Sequence, residues 1–129
     1  MRINFIKPIQ ISNKTSFGYK SILKDEFLKG NLPTVKKDMG GFKLTKNNVT
    51  NGHMLPHSQG GKTILPNLML ETVEYNYMKQ ADPFSKFFNK EGFEAYCAQF
   101  KGIKLPKLDG DRYVKDITET AERLLKNGL

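Results

Sequence analysis

Apolar residues recur at helical spacing in three stretches of the chain. Tyr19, Ile22, Leu23 and Phe27 form a stripe that stops at Gly30, which predicts a helix over about 19–29. Phe93, Tyr96, Cys97 and Phe100 share one face of a second helix, and Val114, Ile117, Ala121, Leu124 and Leu125 share one face of a third. Asp109 to Asp111 stands where it can cap that last helix. The start of the chain, Ile3 to Ile11, reads as extended, and "NLPTVKKDMGGFKLTKNN" after Gly30 reads as a basic, turn-rich surface segment. The middle has a different rhythm. "HMLP" predicts a short strand, "HSQGGKT" a loop, "ILPNLML" a turn into a second strand, and "ETVEYNYMKQ" a helix halted before Pro83. The order there is strand, loop, strand, helix.

A length of 129 residues fits one domain, and 38% apolar with 26% charged residues is the balance of a globular chain with a core to bury. No run approaches the roughly 20 apolar residues of a membrane span, and "MRINFIKPIQ" lacks a signal-peptide core. The expectation is a cytoplasmic protein with no membrane partner. The one cysteine, Cys97, has no partner for an internal disulfide and reads as a core residue. The net charge of +8 sits unevenly, with 11 Lys and Arg against 3 Asp and Glu in residues 1–62 and 10 against 10 in residues 63–129. A positive field of this kind favours encounters with polyanions, and nucleic acid is the commonest.

Both histidines, His53 and His57, lie in the strand–loop–strand–helix region. His53 is the first residue of the predicted strand "HMLP". Pro56, the pair Gly60 and Gly61, the pair Asn67 and Leu68, and finally Asn76 on the helix follow it. In this register the chain resembles the HNH endonucleases, whose ββα-metal fold occurs in homing enzymes, colicin nucleases, phage nucleases and one nuclease domain of the RNA-guided CRISPR effector. The match covers residues 42–80. It implies an α+β fold in which a small ββα-metal (HNH) core is joined by a basic N-terminal segment, 1–41, and a C-terminal helical extension, 84–129, in a single domain 1–129.

By resemblance, His53 is the general base, a role that suits the one side chain with an unperturbed pKa near neutrality. Asn67 ties the loop to the second strand and holds the imidazole in place. Asn76 gives an amide oxygen to a divalent ion, which neutralises charge growing on the phosphate. His57 could assist the metal, donate to a phosphate or only decorate the loop. Lys62, Lys43, Lys46 and Lys79 are the candidate phosphate contacts. DNA, as a duplex, is the expected substrate, and two chains would have to pair to cut both strands at once.

The departure from the family is Gly52, which stands where most members carry the acidic or histidine ligand that directly precedes the base. A site without an anionic oxygen suits Mg²⁺ poorly and shifts the expectation toward Mn²⁺, Ni²⁺ or Zn²⁺. Glu74 is the nearest helical carboxylate in sequence, but it lies about 200° around the helix from Asn76. A different reading keeps the fold and drops the catalysis, leaving a module that binds nucleic acid or inhibits a protein partner. On the sequence, Gly52→Asp is the substitution that would restore a missing ligand.

Overall fold

The computed structural model describes residues 22–129, so the extended start and Tyr19 lie outside the described residues. The architecture is α+β. A helix over 22–28 (α1) leads to an irregular segment and then to β1 (Val49–His53). After the loop comes β2 (Leu68–Thr72), antiparallel to β1 with His53 opposite Leu68 and Val49 opposite Thr72. The helix α2 (Val73–Lys79) follows without a break, then a single turn α3 (Phe84–Phe87), α4 (Lys90–Ala98), a two-residue hairpin of β3 (Lys104–Leu105) and β4 (Leu108–Asp109), and the long α5 (Gly110–Lys126). Among the described residues no helix is long and apolar enough to cross a membrane.

The junction of β2 with α2 shows why the chain turns there. Thr72 ends the strand in an extended conformation and caps the helix, its hydroxyl accepting from the Tyr75 N–H at 3.1 Å. Asp38, buried in the preceding segment, accepts from the Thr72 backbone N–H at 3.0 Å and from the Thr72 hydroxyl at 2.9 Å. A carboxylate held by hydrogen bonds can be buried at a tolerable cost. The segment 31–48 is turn-rich as expected, but it is not merely surface: Leu32, Val35, Met39 and Leu44 enter the core while its lysines stay outside. A turn-rich chain still contributes apolar side chains wherever its backbone groups bond locally, as Leu44 N does with Lys36 O.

The C-terminal helices are docked on β2. Tyr96 of α4 and Tyr113 of α5 are both fully buried, and their hydroxyls lie 2.9 Å apart. Tyr113 Oη donates to Leu68 O at 2.6 Å, and Leu70 N donates to Tyr96 Oη at 2.8 Å. The hydroxyls satisfy two backbone groups of β2 that β1 does not reach, while the rings pack on Phe100. Asp109 caps α5 as the sequence predicts, accepting from Asp111 N and Arg112 N. The stripe Ile117, Ala121 and Leu124 is buried, with Val114 and Leu125 packed beside it.

Candidate active site

The loop between β1 and β2 owes its shape to one side chain. Asn67, buried at the end of a short 3-10 turn, accepts from Leu55 N through Oδ1 at 2.8 Å and donates through Nδ2 to Leu55 O at 3.1 Å and Lys62 O at 2.8 Å. Its backbone oxygen accepts from Met54 N at 2.8 Å. Both ends of the loop are therefore tied to one residue. The glycines complete the turn. Gly60 adopts φ 90°, the left-handed region that suits glycine, and a Cβ on Gly61 would overlap the Leu55 carbonyl.

This cinched loop delivers Thr63 to His53, and the Nε2 to Oγ1 distance is 2.9 Å. His53 lines an open cleft of about 500 Å³ together with Thr50, Asn51 and Thr63, and with Lys24, Asp25 and Leu28 contributed by α1. His57 is exposed at the start of the loop turn, its ring edge-on to that of His53 with centroids 6.2 Å apart. Asn76 projects from α2 to β1, where Nδ2 donates to Thr50 Oγ1 at 3.1 Å; Thr50 in turn donates to Glu71 O at 2.9 Å. Thr50 thus joins Asn76 of the helix to the cleft that His53 lines, while Asn67 acts on the loop through Leu55 and Lys62.

Of the expected phosphate contacts, Lys62, Lys43 and Lys46 are exposed. Lys62 shares a notch of about 330 Å³ with Arg123 of α5, beside Asn67. Lys79 does not belong to this set. Its side chain is 5% exposed, its ammonium pairs with the Glu71 carboxylate, and it lies 4.8 Å from the centre of the Phe87 ring. A cation in that position serves a buried anion and offers no surface to a phosphate. The assignment of Lys79 as a nucleic-acid contact is corrected accordingly.

Glu71 is the residue that sequence reasoning missed, because "ETVEYNYMKQ" reads as helix from its first residue whereas Glu71 is still strand. Register places Thr50 opposite Glu71 and Gly52 opposite Met69, so all four share one face of the hairpin. The Glu71 side chain is 1% exposed. Burial pushes its carboxyl up to about 7, against the opposing pull of Lys79. The glycine at 52 has a structural reason: a Cβ built there would overlap Glu71 Oε1. Glu74, the alternative carboxylate, is exposed on α2. Among the described residues no three His, Cys, Asp or Glu side chains converge.

Lys24, Asp25, Thr50 and Thr63 at the cleft were also not foreseen. Nothing in their local sequence marks them, since they meet only through the fold. Comparison with known proteins gives no matching family model, no matching curated protein and no matching solved structure.

Proposed function

We propose that this protein is an HNH-type endonuclease that hydrolyses DNA phosphodiester bonds with the help of a divalent metal ion. The observation that carries the reading is the Asn67 clasp, which fixes the loop so that His53 stands in an open cleft with Thr63 at its Nε2. Thr63 Oγ1 selects and orients the imidazole, and His53 takes the proton from an attacking water. The exposed lysines of the first half grip backbone phosphates, which gives affinity without base readout.

The donor set fits a cation at one place: a buried carboxylate oxygen of Glu71 has no hydrogen-bond partner, and the Asn76 amide is joined to the same strand pair through Thr50. When bound, the ion would neutralise negative charge on the scissile phosphate. Glu71 and Asn76 are the residues that would hold it.

A second reading is favoured by the pairing of Glu71 with Lys79, which leaves the site electrically satisfied without an added ion. On that reading the chain binds nucleic acid, or inhibits a protein partner, and does not cut. Supercoiled plasmid incubated with the parent, His53→Ala and Cys97→Ala, in Mg²⁺, Mn²⁺, Ni²⁺, Zn²⁺ and EDTA, decides between the two. Nicking is expected from the parent and Cys97→Ala in at least one metal and not from His53→Ala. Cutting in EDTA, or by His53→Ala, would refute the nuclease.

A further inference from the structure

We propose that Glu71 supplies from β2 the carboxylate that Gly52 cannot supply from β1, so that Glu71 and Asn76 form a divalent-cation site whose resting occupant is the Lys79 ammonium. The inference deepens the nuclease reading and rests on it for its purpose.

Gly52 and Glu71 compete for one volume. A Cβ at position 52 would overlap Oε1 of Glu71 and crowd its carboxyl carbon, so the two positions can present a carboxylate to this space only in alternation. The antiparallel register puts them diagonally on the same face, at the end of the hairpin that α2 covers. Glycine at 52 and glutamate at 71 are then one arrangement and not a loss followed by an unrelated gain.

The carboxylate is held on one side only. Oε2 pairs with Lys79, whereas Oε1 is buried without a hydrogen-bond partner. An unsatisfied oxygen of a nearly inaccessible carboxylate is costly, and it calls for an ion or a water at that place. Asn76 brings the second oxygen-bearing group. Its Nδ2 is engaged by Thr50 Oγ1, which fixes the amide beside β1, and the Thr50 hydroxyl proton goes to the Glu71 backbone oxygen.

Lys79 can leave without being stranded. Its ammonium lies 3.5 Å from His53 O and faces the rings of Phe87 at 4.8 Å and Tyr75 at 5.7 Å, so alternative partners surround it. A single charge on a four-carbon stem is a placeholder that a divalent cation can outcompete. The contact with His53 O also links the occupant of this site to the strand end that carries the base.

Mn²⁺ is the probe, in two measurements on the full chain. In the parent, low Mn²⁺ should first broaden the backbone amide resonances of Thr50, Gly52, Glu71 and Asn76; broadening centred on His57, or on Asp109 and Asp111 at the start of α5, would overturn the proposal. In titration calorimetry, Lys79→Met should bind Mn²⁺, because the competing charge is gone and the ion replaces the proton that Glu71 takes up once Lys79 is removed. Glu71→Gln/Lys79→Met, which keeps the buried pair neutral but removes the anionic oxygen, should bind at least tenfold more weakly than Lys79→Met. Equal affinities for these two variants, or no binding by Lys79→Met, would overturn it. Plasmid nicking separates the two failures. Mn²⁺ binding as described with no nicking ends the nuclease reading and leaves the site standing, whereas His53-dependent nicking with equal affinities in the two variants does the reverse.

Discussion

Replacing Asn67 by alanine tests the central mechanical claim about the loop. The side chain makes three hydrogen bonds, to Leu55 N, Leu55 O and Lys62 O, from a position only 7% exposed. At about 1 kcal/mol net for each, the loss is roughly 3 kcal/mol. The full desolvation penalty does not apply, because Lys62 is exposed and Leu55 half-buried, so water can reach the released groups. Against a total stability of about 5–15 kcal/mol the protein stays folded, with a melting temperature lowered by roughly 10 °C. Asn67→Asp should be worse at neutral pH, since it sets a carboxylate against two carbonyl oxygens. It should recover as pH falls and the acid protonates, because the folded state then binds the proton more tightly than the unfolded state. Urea unfolding gives the stability and amide exchange at Leu55 gives the local effect. A change below about 1 kcal/mol in Asn67→Ala, or a Leu55 amide as protected as in the parent, would refute the idea that this residue holds the loop.

Gly52→Asp, the repair that the sequence invites, should instead lower stability by about 1–3 kcal/mol in urea unfolding, because Glu71 already fills the space. Tyr113→Phe removes the hydroxyl that donates to Leu68 O and meets Tyr96, and should cost about 1–2 kcal/mol in the same assay. Neutralising Lys43, Lys46 and Lys62 together should weaken DNA binding and lower the slope of log affinity against log salt by up to about 0.9 for each phosphate no longer engaged, whereas Lys79→Met should leave that slope unchanged. Burial pushes the Cys97 thiol up to about 11, so its alkylation by iodoacetamide should be slow at about pH 8 and accelerate only as pH approaches the higher value.

The order of elements from His53 to Asn76 is legible in sequence because it is local: the motif residues, the glycine pair and the helix pattern all fall within a short stretch. The stripe of α5 and its Asp109 cap are legible for the same reason. What escapes is decided by pairing across the fold. Glu71 looks helical until Asp38, 34 positions before Thr72, claims that threonine and ends the strand there. Lys79 looks like a surface cation until Glu71 is known to face it. The single turn α3 and the β3–β4 hairpin are too short to show a period, and Asp25 reaches the His53 cleft only because α1 folds over the hairpin.

The two tyrosine hydroxyls on β2 bear on how copies of this chain can associate. The hydrogen-bonding positions they engage, Leu68 O and Leu70 N, are those an incoming strand would need to extend the hairpin. With those positions blocked, β2 is closed to edge-to-edge growth. If two chains pair, as a double-strand cut under the proposed function would require, they meet at surfaces other than the β2 edge, and those surfaces set the spacing between two His53 clefts.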